Sequence, residues 1–179
     1  MLLPQGIMIF GANGGGKTTL GREVARMLGV KHMDIEAYHF APSDIPYAVK
    51  RSREECVERM LSDIERYRSF VLTSVTGDFG EVIPTYYRLA VWVKAPKDVR
   101  MERIRWRAFN AHGERVCQGG DMYEENERFM AFAASRDLTK IDRWAETLTC
   151  PVMHVDGLAD WRENAQNIAN CFIKMRDSQ

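Results

Sequence analysis

The amino-acid sequence predicts an α/β domain in which helices cover both faces of a parallel β-sheet. Three observations favour this class. Short apolar segments alternate with longer segments whose apolar residues recur at helical spacing. The short segments are apolar throughout, as strands buried on both faces are. The chain has 179 residues, a length that suits one domain with one core.

Five strands and the helices between them can be assigned in chain order. The predicted strands cover residues 7–10, 30–33, 70–75, 89–93 and 152–155. Gly29 follows the last apolar position of the first helix, and Ser52 with Glu55 forms a capping box for a later one. Pro96 opens the helix after the fourth strand, and Asp160 caps the last helix.

One segment departs from this alternation of strands and helices. Residues 107–136 are polar, contain Gly113, Gly119 and Gly120, and return to helical periodicity near Tyr123–Ala134. Polar, glycine-containing segments of this kind often close over a ligand. We expect a mobile lid at about residues 107–136, inserted into a single domain that spans residues 1–179.

Composition and charge argue against several classes of protein. Lysine and arginine total 25 residues, and so do aspartate and glutamate, so no attraction to nucleic acid or to an anionic membrane is indicated. No apolar run approaches the roughly 20 residues that a membrane helix needs. The four cysteines form no C-x-x-C pair and have no His at metal-ligand spacing. We expect a cytoplasmic protein with reduced thiols, no nucleic-acid partner and no membrane partner.

The segment Gly11-Ala-Asn-Gly-Gly-Gly-Lys-Thr18 matches the phosphate-binding motif G-x-x-x-x-G-K-[ST]. It directly follows an apolar strand and leads into a helix, the context in which loop N–H groups and a helix N-terminus bind phosphate oxygens. The alternative is a glycine-rich turn without a ligand. The residues predicted to bind nucleotide are Gly11, Ala12, Asn13, Gly14, Gly15, Gly16, Lys17, Thr18 and Thr19. The motif also predicts that Lys17 reaches the β- and γ-phosphates and that the Thr18 hydroxyl holds Mg²⁺.

Other signatures that divide P-loop proteins into classes are missing from the sequence. Motor-type ATPases place an Asp at the end of an apolar strand to hold Mg²⁺, but residues 70–75 and 89–94 end without a carboxylate. A GTPase needs Asn-Lys-x-Asp after a strand, and the nearest string, Thr139-Lys-Ile-Asp142, opens a helix. Both classes are therefore disfavoured.

Several features follow the P-loop in a recognisable order: a strand ending in Asp34-Ile-Glu36, an arginine-rich helix, and the glycine-containing lid. This order resembles the nucleoside-monophosphate-kinase and shikimate-kinase group of small P-loop kinases. The string Gly-Gly-Asp-Met-Tyr at residues 119–123 is also similar to one in little-characterised bacterial adenylate-kinase-like ATPases of the AAA family. The resemblance implies a three-layer P-loop NTPase fold with strand order 2-3-1-4-5, and ATP and Mg²⁺ as cofactors.

The same resemblance implies roles for the two carboxylates. Asp34 would order Mg²⁺ through a water molecule, and Glu36 would face the acceptor hydroxyl. Glu36 stands where shikimate and gluconate kinases have a second Asp, so its side chain is one methylene longer. On the residues alone, both acids have an alternative role as solvated caps of a helix N-terminus.

Arginines crowd the helix that follows the fourth strand. Arg103 and Arg107 lie four residues apart and share a helix face. The resemblance implies that they stack on adenine and clamp the transferring phosphate, with Arg107 catalytic beside Lys17, whereas the alternative is a solvated face. Arg115 and Arg136 flank the lid, and each is a candidate to bind phosphate when the lid closes.

Five further side chains are favoured as structural. Arg51 and Arg53 precede the capped helix where mononucleotide kinases bind their acceptor, but surface cations are the preferred interpretation. Trp106, Trp144 and Trp161 lie on predicted helices, and we expect their rings in the core.

The combined features predict ATP- and Mg²⁺-dependent phosphoryl transfer to a small hydroxyl- or phosphate-bearing acceptor. Two other classes stay open. One is an NTPase that hydrolyses ATP, and the other is a non-catalytic switch protein that senses nucleotide occupancy.

Overall fold

A parallel five-stranded sheet forms the centre of the protein in a computed structural model that describes residues 3–43 and 49–177. The two residues at each end of the predicted domain lie outside the described residues. The strands are β1 (Gln5–Phe10), β2 (Lys31–Asp34), β3 (Ser69–Thr73), β4 (Tyr87–Lys94) and β5 (Val152–Asp156). Their order is β2-β3-β1-β4-β5, and each adjacent pair is parallel. The predicted fold class and strand order are confirmed.

Helices connect the strands, and the caps that the sequence predicts for them are present. Within the described ranges they are α1 (Lys17–Leu28), α2 (Ile35–His39), α3 (Arg53–Tyr67), α4 (Lys97–His112), α5 (Tyr123–Ala134), α6 (Thr139–Ala145) and α7 (Trp161–Asp177). Gly29 ends α1 in the left-handed conformation, at φ 64°. The capping box of α3 forms, since the Ser52 hydroxyl accepts from the Glu55 N–H and the Glu55 carboxylate from the Ser52 N–H.

The core has two layers, one on each face of the sheet. In β1, Ile7 and Ile9 pack against α1 and α7, whereas Met8 and Phe10 face α3 and α6. All four side chains are fully buried. This burial on both faces explains why the strands are apolar throughout instead of alternating with polar residues.

The region predicted to be a lid begins inside a helix, because α4 runs unbroken through residue 107 to His112. A 3₁₀ turn at Gly113–Val116 follows, and then α5 occupies the predicted Tyr123–Ala134. A small cluster of Ile104, Met130 and Ala133 packs α5 against α4. Residues 107–136 therefore form a helical hairpin with its own apolar contact, and its mobility stays a prediction.

The prediction that three tryptophans lie in the core holds for only one of them. The Trp144 ring packs edge-on against Phe10, with ring centroids 4.8 Å apart. Trp106 is 70% exposed and Trp161 is 36% exposed, so for these two the prediction is wrong. Trp106 lies two residues beyond the buried Ile104, which places it on the opposite face of α4. Trp161 is the first residue of α7 and precedes the face that the helix buries.

The four cysteines, all of which are described, form no disulfide bond. Across residues 3–43 and 49–177, no helix is both long enough and apolar enough to cross a membrane.

Candidate active site

The P-loop joins β1 to α1 in a conformation that requires glycine. Gly11, Gly14 and Gly16 have φ angles of 140°, 77° and 96°, a region that other residues rarely adopt. A Cβ atom at Gly11 would lie 2.3 Å from the Val93 carbonyl oxygen, and one at Gly14 would lie 2.3 Å from that of Arg100. Gly16 is the N-cap of α1 and offers no side-chain cap, so first-turn N–H groups remain open to an anion.

Lys17 is the first residue of α1, and its ammonium group folds back onto the loop. Its Nζ donates a hydrogen bond to the Ala12 carbonyl oxygen at 2.8 Å. Burial lowers the pKa of Lys17 to about 8, because the buried site solvates the charged ammonium group less well than water does. A lysine held in this way is ready to exchange the Ala12 oxygen for an anionic oxygen.

Four charged side chains from three segments also act on the pKa of Lys17. The carboxylates of Glu36 and Asp34 raise it, and the guanidinium groups of Arg136 and Arg107 lower it. Both signs of charge thus meet around one ammonium group, from the β2–α2 junction, from α4 and from the segment after α5. The structure brings together all the side chains that the sequence predicts to be catalytic.

The two carboxylates are positioned by the transition from β2 to α2. Asp34 ends β2 and is the N-cap of α2, where its Oδ1 accepts the Glu36 N–H at 3.2 Å. Glu36 lies in the first turn of the same short helix. Because the carboxyl ends of parallel strands meet at one edge of the sheet, both acids reach the P-loop side. Asp34 therefore caps a helix and also lies near Lys17.

A cavity of about 330 Å³ lies beside the P-loop, between α4 and the connection from β5 to α7. Its lining includes Thr18, Thr19, Arg103, Trp106, Arg107 and Trp161. Arg103 joins the two walls, because its Nη2 donates to the Gly157 carbonyl oxygen at 2.8 Å. Sequence reasoning missed the two tryptophans as lining residues, although Trp106 lies three residues after Arg103 and so shares its helix face.

The two arginines that flank the lid differ in their surroundings. Arg115 makes a two-pronged ion pair with Asp121, with N···O distances of 3.0 and 2.8 Å, and both side chains are exposed. Arg136 instead lies near Lys17, with its guanidinium 4.7 Å from the centroid of the Phe132 ring. Its Nε is buried without a hydrogen-bond partner among the described residues. Of the two candidates, the structure brings Arg136 to the P-loop.

The arginines before α3 make contacts within the fold. The Arg51 Nη1 donates to three carbonyl oxygens at the end of α2, at 2.6 to 3.0 Å, so this side chain closes that helix. Arg53 lies 3.6 Å from the Asp78 carboxylate, and both of these side chains are largely exposed. These contacts agree with structural roles for both arginines.

The donors around the P-loop suit a magnesium ion that is shared with phosphate. No group of three or more His, Cys, Asp or Glu residues that could hold a metal occurs in the described part of the chain. Mg²⁺ usually keeps several waters and takes one or two protein ligands together with phosphate oxygens. The Thr18 hydroxyl and the Asp34 carboxylate form a donor set of that size.

A phosphate-binding loop at the carboxyl end of the central strand, in a sheet of this order, defines a kinase-like P-loop protein. The chain belongs to the AAA domain family, whose model matches residues 7–129.

One relative and two solved structures are similar to the chain over most of its length. The chain is 27% identical over 162 residues to the uncharacterized protein YqaC of Bacillus subtilis, covering 86% of this chain and 89% of the relative. Its fold is similar to that of shikimate kinase from Acinetobacter baumannii in complex with shikimate, with a TM-score of 0.56, 18% identity and coverage of 96% and 94%. It is also similar to a provisionally assigned kinase from Chloroflexus aurantiacus, with a TM-score of 0.53, 16% identity and coverage of 97% and 98%. These findings confirm the resemblance to small P-loop kinases.

Proposed function

We propose that this protein uses ATP and Mg²⁺ to phosphorylate a small acceptor that bears a hydroxyl or a phosphate group. The observation that carries the proposal is the meeting of two carboxylates and two arginines at Lys17. Phosphoryl transfer depends mainly on positioning and on neutralising the charge of the transferred group. A protein that only binds nucleotide needs the loop but has no use for carboxylates close to the γ-phosphate.

The P-loop and Lys17 bind the phosphates of ATP in this proposal. The N–H groups at the start of α1 donate to phosphate oxygens, and the Lys17 ammonium exchanges the Ala12 carbonyl for a β- or γ-phosphate oxygen. The Thr18 hydroxyl and, through water, Asp34 would hold Mg²⁺. When bound, the metal neutralises charge on the β- and γ-phosphates.

Glu36 acts on the acceptor in the same scheme. The acceptor oxygen forms a bond to the γ-phosphorus, the bond from that phosphorus to the β–γ bridging oxygen breaks, and ADP leaves. Where the acceptor is a hydroxyl, its proton passes to the Glu36 carboxylate. Where the acceptor is a phosphate, no proton needs to move, and Glu36 only orients the group.

The two arginines complete the site. Arg107 reaches the phosphates from α4, and Arg136 reaches them from the segment after α5. Both guanidinium groups stabilise the charge that spreads over the transferred phosphoryl group. The cavity next to Arg103 is where the nucleoside of ATP lies in this proposal, with an aromatic wall from Trp106 and Trp161.

One assay distinguishes phosphoryl transfer to an acceptor from hydrolysis of ATP. The protein is incubated with Mg²⁺ and γ-phosphate-labelled ATP against a panel of nucleosides, nucleotides, sugars and sugar acids, and labelled product and free phosphate are measured in the same samples. Acceptor-dependent labelling that disappears in Lys17→Ala supports the proposal. Equal phosphate release with every acceptor supports the NTPase class, and binding without turnover supports the switch class.

A further inference from the structure

Arg100 is a buried arginine with no part in the scheme above. It is only 4% exposed and lies in the first turn of α4. Among the described residues no Asp or Glu forms an ion pair with it. A buried guanidinium without a counter-charge is costly, and a cation in the first turn is also disfavoured by the helix dipole. Burial and the helix dipole both disfavour the charge of Arg100, so other contacts of this side chain must offset their cost.

The side chain of Arg100 binds one main-chain oxygen of the P-loop and one of the segment between β4 and α4. Its Nη1 donates to the Asn13 carbonyl at 3.1 Å, and its Nε donates to the Ala95 carbonyl at 3.2 Å. Asn13 is in the P-loop, and Ala95 follows β4. One guanidinium group therefore ties the loop to the start of α4.

The main chain of Arg100 contacts the next residue of the loop. A Cβ at Gly14 would lie 2.3 Å from the Arg100 carbonyl oxygen, so only glycine lets α4 approach this closely. Asn13 and Gly14, two consecutive loop residues, thus rest on one residue of α4. The approach leaves little room for the loop and the helix to move independently.

The same helix carries the arginines proposed to act on nucleotide. Arg103 and Arg107 lie about one and two turns beyond Arg100, and both line the cavity beside the P-loop. A shift of α4 against the loop would move these two guanidinium groups away from phosphates bound by the loop N–H groups. The contact at Arg100 therefore fixes the position of Arg103 and Arg107 relative to the N–H groups of the loop.

We propose that Arg100 is a positioning residue for nucleotide binding: it holds the P-loop against α4 and does not itself touch phosphate. The inference rests on the proposed function only in taking a nucleotide as the ligand, and it does not depend on phosphoryl transfer. Arg100→Met removes a buried charge that has no ion-pair partner, which favours the folded state, but it also leaves the Asn13 and Ala95 carbonyl oxygens without this donor, which disfavours it. A positioning role and a purely structural role therefore predict different results for Arg100→Met.

The test compares Arg100→Met and Arg100→Lys with Arg105→Met, an exposed arginine on the same helix. Affinity for Mg-ATP and for inorganic tripolyphosphate is measured by calorimetry, and Tm is measured without ligand. We expect Arg100→Met to weaken the binding of both ligands by roughly tenfold, whereas Tm should change little, because relief of the buried charge offsets the loss of two hydrogen bonds. Arg100→Lys keeps the charge but loses the two-pronged geometry, so it should weaken binding as well, and Arg105→Met should match the wild type.

Two results would overturn the inference. One is wild-type affinity in Arg100→Met, and the other is a fall in Tm large enough to account for the lost binding, which would make Arg100 a structural residue. Should Arg100→Met not fold, wild-type affinity in Arg100→Lys would be equally decisive. Because binding is measured in place of transfer, a wild-type protein that binds ATP without phosphorylating any acceptor refutes the proposed function and leaves this test intact.

Discussion

The P-loop and the charged groups around Lys17 form one site, but they are built in different ways. The loop takes its shape from its main chain, because three glycines adopt positive φ values and at two of them a Cβ would meet a neighbouring carbonyl oxygen. The surrounding charges are side chains from distant segments, and most of them are partly exposed. The difference suggests that the loop provides binding and the side chains provide chemistry. Substitutions in the two regions should therefore separate affinity from turnover.

Lys17 belongs to both regions, so its replacement should have the largest effect. We expect Lys17→Met to abolish turnover and to weaken Mg-ATP binding by roughly 10²-fold or more, since one charged contact to the phosphates is lost. The Tm of the free protein should not fall, because burial already disfavours the charged form of this lysine. Calorimetry and thermal unfolding test both statements, and unchanged ATP turnover would show that the motif has no role here.

Asp34→Asn should affect turnover far more than binding. The amide can still accept the Glu36 N–H and cap α2, so the fold should be kept. Loss of the charge that orders the metal-bound water should lower kcat by roughly 10²-fold, whereas ATP affinity should change little. Affinity and kcat measured on the same preparation check this. Full turnover in the variant would leave Asp34 with the capping role alone.

Glu36→Gln separates the role of Glu36 from that of Asp34. Its effect should appear in acceptor-dependent turnover, roughly 10²-fold, and barely in background hydrolysis, because this carboxylate is assigned to the acceptor. The assay measures ADP formation with and without acceptor. An equal loss in both rates would place Glu36 with Asp34 on the metal side of the site.

The arginines beside the lid offer a matched pair. Arg136→Met should lower kcat by roughly tenfold or more, because its guanidinium lies near Lys17. Arg115→Met should have little effect, since Arg115 is paired with Asp121 at the exposed end of the hairpin. Steady-state kinetics of the two variants measure kcat for each of them. A larger loss in Arg115→Met would mean that the hairpin rearranges when ligands bind.

The smallest expected effect is a pH dependence of binding. The pKa of Lys17 is about 8 in the free protein, and phosphate favours the charged form, so binding should raise this pKa and take up protons. Affinity for Mg-ATP should therefore fall as the pH rises through about 8. Calorimetry in buffers of different ionisation enthalpy should detect the uptake. Removing a neighbouring cation in Arg136→Met should move the fall to higher pH, and an unchanged profile would contradict the electrostatic effect of Arg136 on Lys17.

The lowered pKa of Lys17 also makes the free energy of unfolding depend on pH. The ordinary pKa of lysine is 10.5, so between about pH 8 and 10.5 the folded protein binds fewer protons at Lys17 than the unfolded chain does. The contribution of Lys17 to the free energy of unfolding should therefore rise with pH over this interval. Lys17→Met should remove that contribution, which denaturation at several pH values can test.

Local sequence rules were enough to predict the loop, the strands and the helix caps. The P-loop is set by glycine sterics and a strand–helix context, and the capping box of α3 involves only Ser52 and Glu55. Each of these interactions joins residues that are close in the chain, so the residues themselves carry the information. The strand order came instead from the resemblance to small P-loop kinases, because pairing between distant strands has no local signature.

Which of several similar side chains meet at the site depends on how distant segments pack together. Arg115 and Arg136 look alike in the sequence, yet the packing of α5 on α4 brings one toward Lys17 and leaves the other with Asp121. Helical periodicity placed Trp106 in the core, but the face of α4 that carries it is turned away from the buried Ile104. No sequence pattern predicts the positioning role proposed for Arg100, because its contact with Asn13 joins residues 87 positions apart in the chain. Such contacts arise from packing between distant segments, which no local pattern encodes.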